Sequence, residues 1–318
     1  MTTPWVSALT IGKGRDAHLK NLIKGFCEQT RLPDELIIGV MDNVPYADLP
    51  DAPFPILQVG VSGDDLPLAA ARNRVADTAQ GDHLLFVDID CIPNPQFVAD
   101  CIDHLSAEAG LMMGEVVYLP KGATAGELDF PRFDALGKQH PDRQGPPPQG
   151  RRRCNDYRCF WSLNFAMSKA DWRASGGFDT RYVGYGGEDT DFGRTLDAKQ
   201  IPIWWAKGAK VYHQYHTHAM PPVHHIHSVL RNAEMFADKW GRRTMEHWLR
   251  AFRLMGLIED TDTGLQIVRQ PGEADFALCA QQSDEPFATT RRTLDTLEHG
   301  DWRVADRKRG QDASWAAE

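Results

Sequence analysis

Two aspartates two positions apart, Asp88 and Asp90, lie at the end of the apolar run His83 to Pro93, HLLFVDIDCIP. A carboxylate pair at the end of a buried strand can hold a divalent cation against phosphate oxygens, because hard cations prefer oxygen ligands. Strand side chains alternate with a period of two, so both aspartates share a face if the strand continues through them until Pro93 stops it. This chemistry suits an enzyme that handles a phosphorylated donor.

A second acidic group follows glycines in Gly184-Tyr185-Gly186-Gly187-Glu188-Asp189-Thr190-Asp191. Glycines permit a close backbone turn, and the acidic residues then open a helix running to about Leu196. Orphan N–H groups and the dipole favour carboxylates there, so simple capping explains one of them. Three beside aromatic residues point to an acceptor site, where one carboxylate deprotonates a sugar hydroxyl and another holds its neighbours. A third signal is histidine. Six of the 12 fall between 213 and 227, namely His213, His216, His218, His224, His225 and His227. Imidazole suits Mn²⁺ or Zn²⁺, and one histidine after a strand at Lys210–Tyr212 can complete a site begun by Asp90. The others are read as structural or surface residues.

Positioning these groups requires an alternation of strands and helices. Val6–Ile11, Glu35–Met41, Pro55–Val59, the HLLFVDI segment and Met112–Tyr118 read as strands. Helices are expected near 18–30, 66–80 and 95–108. That order implies βαβ units and a mostly parallel sheet, with ligands beyond the carboxyl ends of the strands, where Thr10, Asp42 and Asp90 fall. Residues 120–157, with Gly145–Pro148 and the triplet Arg151–Arg153, read as a flexible loop beside the site or an uninvolved insertion. The triplet is taken as solvated loop surface, with a phosphate or acidic acceptor as the alternative. Two more strands are expected at Ile201–Trp205 and Lys210–Tyr212, helices over 228–257, and one further helix at Thr290–Glu298.

The chain has 318 residues, long enough for a substantial core, and a formal net charge of -9, which argues against a general nucleic-acid binder. Six scattered cysteines form no CxxC pair; Cys154 and Cys159 are close in sequence, but spacing alone shows no bridge. No basic, then apolar, leader and no run of 18 apolar residues is visible. A soluble cytoplasmic protein without a membrane span is the expectation, and oligomeric state is not legible.

In order and spacing, these motifs resemble glycosyltransferases of the GT-A fold, the family 2 group and its relatives. The resemblance covers about residues 5–257. It rests on the first strand with Thr10, on Ala71-Arg72-Asn73 before the aspartates, on FVDID, and on GYGGEDTDFGRTL. The last is similar to the GGED-type acceptor motif of β-1,4-galactosyltransferases and bacterial chondroitin-polymerising enzymes, and Tyr212-His213-Gln214 resembles the latter's metal-binding segment. The opening departs from the family's usual proline-rich form, reading LTIGKGR.

The resemblance implies a Rossmann-like mixed, mostly parallel sheet flanked by helices, over 1–263, with 264–318 as a C-terminal extension. It implies that Asp90 and His213 bind Mn²⁺ or Mg²⁺ and that Asp88 contacts the donor ribose or the metal shell. Thr10 and Asp42 then line the nucleotide pocket, and Arg72 supports the donor. Asp189 is the implied catalytic base, Glu188 and Asp191 orient the acceptor, and Trp161 and Asn164 shape its site. The expected activity is inverting transfer from a nucleotide diphosphate sugar, with UDP favoured, to a glycan or other hydroxyl acceptor. A nucleotidyltransferase would also use carboxylate-bound Mg²⁺ but has no evident need for the GGED segment. A non-catalytic glycan-binding protein would bind glycans without nucleotide sugar.

Overall fold

Strand β1 (Val6–Gly12) is buried along its whole length, Ser7 and Thr10 included, as a strand in the middle of a parallel sheet must be. The computed structural model describes residues 4–42, 44–63, 65–281 and 285–300; the part of the expected extension at 301–318 lies outside them. After β1 come α1 (Asp16–Cys27), β2 (Glu35–Val40), β3 (Ile56–Gly60), α2 (Leu68–Thr78) and β4 (His83–Val87). Next are β5 (Cys91–Pro93), α3 (Phe97–Ala107), β6 (Leu111–Met113), β7 (Val116–Tyr118), α4 (Phe130–Leu136) and β8 (Arg151–Cys154). Then follow β9 (Asn164–Ser168), α5 (Lys169–Ser175), α6 (Glu188–Ala198), β10 (Ile203–Ala206) and β11 (Val211–His213).

The main sheet has eight strands in the order β3-β2-β1-β4-β9-β6-β10-β8. β3, β2, β1 and β4 run parallel, and so do β6 and β10; β9 is antiparallel to β4 and β6, and β8 to β10. The α/β class and the mixed, mostly parallel sheet expected from the sequence are present. Its core is aromatic: Phe86 stacks on Phe165 at 4.3 Å and Phe178 on Phe192 at 4.2 Å, with Trp172 against both Phe86 and Phe192. Offset ring pairs of this kind add to their area burial.

Three local expectations are corrected. The strand expected through the aspartates ends at Val87. Asp88, Ile89 and Asp90 form a turn closed by Cys91 N–H donating to Asp88 O at 2.8 Å, and Pro93 lies inside β5 instead of stopping a strand. The cause is a change of sheet: β5 pairs with β11, which pairs with β7, in a separate three-stranded sheet. The strand expected at 112–118 is likewise two strands, split at Gly114, where any Cβ would overlap Ala209 O. Third, residues 120–157 contain regular structure. Asp129 caps α4 by accepting from Arg132 N at 3.0 Å, Phe133 is buried beside Tyr212, and Arg151–Arg153 form the exposed edge strand β8. Charged residues suit an unpaired sheet edge.

The chain divides into two compact units, Met1–His216 and Thr217–Glu318. In the second, α7 (Ile226–Trp240) and α8 (Glu246–Leu254) are followed by the hairpin β12 (Ile258–Thr261) and β13 (Gly264–Ile267), then by α9 (Glu273–Cys279) and α10 (Thr290–His299). Val229, Ala233, Leu249 and Phe252 cluster with Ile258 and Cys279, so these helices share a core with segments on both sides of residue 263. The sequence reading instead groups 217–263 with the first domain. No helix among the described residues is long and apolar enough to cross a membrane.

Candidate active site

The β4–β5 turn is wedged against the end of β1. Any side chain at Gly12 would overlap Ile89 and Tyr46, so glycine there lets the aspartate turn close onto the first strand. Just past it, Arg15 pairs with Asp90. The register of β11 against β5 sets His213 opposite Cys91, and Gln214 N–H donates to Asp90 O at 2.7 Å. As a result His213 Nε2 lies 3.6 Å from Asp90 Oδ1 and His216 Nε2 lies 3.3 Å from Asp90 Oδ2. One ligand atom from each of Asp90, His213 and His216 lies within 4.8 Å of the other two. Two imidazole nitrogens and a carboxylate oxygen are a suitable donor set for Mn²⁺ or Zn²⁺. Burial opposes ionisation of Asp90, but His213, His216 and Arg15 hold its carboxyl well below the usual range.

The second group is built by α6. Gly186 and Gly187 adopt φ of 92° and 94°, which favours glycine, and the helix opens directly on Glu188 and Asp189. Ser162 N–H and Oγ–H both donate to Asp189 Oδ2, at 2.9 and 3.1 Å, while Asp189 Oδ1 is buried without a hydrogen-bond partner. Burial and the charge of Asp189 push the Glu188 carboxyl up to about 7. Asp191 lies farther along the helix, where its Oδ1 accepts from the Tyr182 hydroxyl at 3.3 Å.

Arg72, buried on α2, joins the two groups. Its Nη2 donates to Asp88 Oδ1 at 3.4 Å, and its Nη1 lies 3.7 Å from Glu188 Oε1 and 3.8 Å from Asp189 Oδ1. Its guanidinium also sits 5.3 Å over the Phe178 ring. Burial pushes the Asp88 carboxyl up, against the pull of Arg72. The next residue, Asn73, ties α2 to the segment that follows α5: Nδ2 donates to Phe178 O at 2.8 Å, and Oδ1 accepts from Phe178 N at 2.9 Å.

The remaining residues singled out from sequence are placed as follows. Thr10 is buried in β1 with its hydroxyl unpartnered, and Asp42, just after β2, accepts from Gly14 N–H at 2.5 Å. Both lie toward the strand ends that carry Arg15 and the aspartate turn. Trp161 stands edge-on to His140 at 5.4 Å, next to the serine that holds Asp189. Asn164 is used by the sheet: its amide donates to Glu115 O at 3.1 Å and Ala209 O at 2.8 Å. Sequence reasoning assigned no role to Arg15 or Ser162 and did not single out His216 as a ligand. His216 stood within the histidine cluster; the other two carry no local signal. A cavity of about 220 Å³ is lined by Arg153, Cys154, Asn155, Tyr157, Asp197 and others, and Asp88, Asp90, Glu188, Asp189 and Asp191 are not among its lining residues.

The chain matches two family models. Residues 61–146 match glycosyl transferase family 2, and residues 151–217, which include Glu188, Asp189 and His213, match the N-terminal domain of galactosyltransferase. Among curated proteins, a validoxylamine A glucosyltransferase from Streptomyces hygroscopicus subsp. limoneus is 26% identical over 276 residues, covering 74% of this chain and 57% of that protein. A protein of the same name from S. hygroscopicus subsp. jinggangensis (strain 5008) is 28% identical over 206 residues, covering 54% of this chain and 44% of that protein. The chain thus spans about half the length of these relatives. Among solved structures, GalNAc-T7 with UDP, GalNAc and Mn²⁺ superposes with a TM-score of 0.49 at 14% identity, covering 67% of this chain and 44% of that one. S. aureus TarS 1–349 gives 0.46 at 14% identity, covering 73% and 65%. The two family models and the two curated relatives are all of one enzyme class, the glycosyltransferases.

Proposed function

We propose that this chain is a metal-dependent inverting glycosyltransferase that moves a sugar from a nucleotide diphosphate, UDP first, to a hydroxyl of a glycan or another acceptor. The observation that carries the reading is Arg72, which holds the aspartate turn and the start of α6 a few ångströms apart. A donor-phosphate site and an acceptor base have to be that close for a single displacement.

Asp90, His213 and His216 would hold Mn²⁺, and the ion, when bound, would offset charge on the diphosphate as a Lewis acid. Arg15 now sits on the same carboxylate and is a second cation for the diphosphate. Thr10 and Asp42 line the nucleotide pocket, with Asp42 toward the base, and Asp88 takes the donor ribose or the metal shell. Asp189 is the base. Ser162 fixes its Oδ2, which leaves Oδ1 to take the acceptor proton. The hydroxyl oxygen then attacks the anomeric carbon from the face opposite the diphosphate, whose bridging oxygen leaves with the bond pair. Configuration is inverted. Glu188 and Asp191 orient the acceptor, and Trp161 offers it a ring face.

The names of the relatives make glucose the first donor sugar to test, ahead of galactose and N-acetylhexosamines. A cytoplasmic location accords with six unpaired cysteines. The test is a panel of nucleotide sugars with Mn²⁺, scored for transfer of intact sugar. Release of a nucleotidyl group would instead favour a nucleotidyltransferase, and glycan binding without nucleotide-sugar binding would favour a lectin-like protein.

A further inference from the structure

Arg143 comes from the segment 120–157, in which the sequence reading gives no role to this arginine. Both of its terminal nitrogens are buried, and neither has a hydrogen-bond partner. Its guanidinium lies 5.7 Å over the Trp161 ring and 5.1 Å over the Trp205 ring. The indoles attract the charge but accept none of its N–H hydrogens in the plane of the guanidinium. A buried cation whose donors find no acceptor is costly and rare, so the position calls for an anion.

Its surroundings say where that anion would sit. Arg143 N–H donates to His140 O at 3.1 Å, the His140 ring lies 5.5 Å from Tyr118, and Trp161 precedes Ser162, which holds Asp189. Tyr118 stacks on His213 at 4.7 Å. Arg143 is thus linked on one side through His140 and Tyr118 to His213, a proposed metal ligand, and on the other through Trp161 to the serine that holds the proposed base. In a displacement, the interval between metal and base holds the phosphate next to the sugar. An anionic acceptor is the less favoured occupant, because it would have to lie against Glu188 and Asp189.

We propose that Arg143 binds the β-phosphate of the donor and meets the negative charge that forms on its bridging oxygen as the bond to the anomeric carbon breaks. The inference rests on the transferase reading above. Planar guanidinium donors suit phosphate oxygens, and Arg143 would be held ready by the two indoles before the donor arrives.

The test is calorimetric binding of the four nucleoside diphosphates and their monophosphates, with Mn²⁺, to the wild-type chain, Arg143→Met and Arg143→Lys. Methionine keeps an unbranched stem between the indoles, and lysine keeps the charge without the fork. The expected result is a loss of about ten- to a hundredfold in diphosphate affinity for Arg143→Met. Arg143→Lys should fall between, with monophosphate affinity within about twofold of wild type throughout. Unchanged diphosphate affinity, or equal losses for mono- and diphosphate, would overturn the assignment. So would loss of the fold in both variants, which would show that the fold itself uses the charge. If the wild-type chain binds no nucleoside diphosphate, the transferase reading fails first and this one falls with it.

Discussion

Asp90 and Glu188 are equally buried, each 7% exposed, yet their carboxyls are driven in opposite directions. Glu188 is pushed up by burial and by Asp189, its neighbour on the same helix turn, and Arg72 only partly offsets this while it also serves Asp88 and Asp189. Asp90 feels the same loss of water, but His213, His216 and Arg15 overcome it and keep the carboxylate ionised. Burial alone therefore does not set the state of a carboxyl; the charge of its nearest neighbours does. One region keeps a carboxylate beside two imidazoles and a guanidinium. The other concentrates carboxyls with too few cations, which suits groups that give up or take protons.

The largest effect should come from the second region. Asp189→Asn is expected to lower transfer by about a hundred- to ten-thousandfold while metal-dependent nucleotide binding stays near wild type. Transfer assays beside calorimetry check this, and near-normal transfer would move the base elsewhere. Arg72→Met removes the cation that the regions share and leaves buried carboxylates unpaired. It should cost roughly 3–5 kcal/mol in urea unfolding at pH 8. A loss under about 1 kcal/mol would mean that the carboxyls simply take up protons, which would blur the contrast.

Asp90→Ala should weaken Mn²⁺ and nucleoside diphosphate binding together, by about ten- to a hundredfold. His213→Ala and His216→Ala divide that effect, and a histidine whose loss leaves Mn²⁺ affinity unchanged is not a ligand. The smallest effect concerns pH. The Glu188 carboxyl is raised from 4.5 to about 7, so the folded chain binds more protons there than the unfolded one. Stability should then fall as pH rises from about 4.5 to about 7 and stay lowered above it. Glu188→Gln should remove that slope, matching wild type near pH 4.5 and exceeding it by roughly 1–3 kcal/mol at pH 8. Melting curves across pH check the sign, and a slope that survives in the variant belongs to another group.

Legibility from sequence followed the range of the interactions. β1, β2 and α2 were readable because their apolar runs and alanine-rich composition are local signals, and observed boundaries lie within about two residues of the expected ones. The turn at Asp88–Asp90 was not readable. HLLFVDIDCIP reads as one strand, and only the pull of β11 divides it between two sheets. Likewise, Arg151–Arg153 look like solvated loop until β10 offers them an edge to pair with, and Arg143 looks like one more loop arginine until Trp161 and Trp205 close around it. Ser162 carries no signal at all; its role exists only once Asp189 arrives from 27 residues away.

By itself the sequence determined which chemistry was available: the carboxylate pair at 88 and 90, the acidic helix start after glycines, a surplus of histidines and an α/β order of elements to carry them. Residue type and short-range periodicity are enough for that, because they depend on neighbours within a turn or two of the chain. Only the tertiary structure decided which groups meet. Arg72 is 116 residues from Glu188 in sequence (188 − 72) and 3.7 Å away in space. Ionisation follows distance through space and access to water, so the opposite states of Asp90 and Glu188 could be read only after the chain had folded.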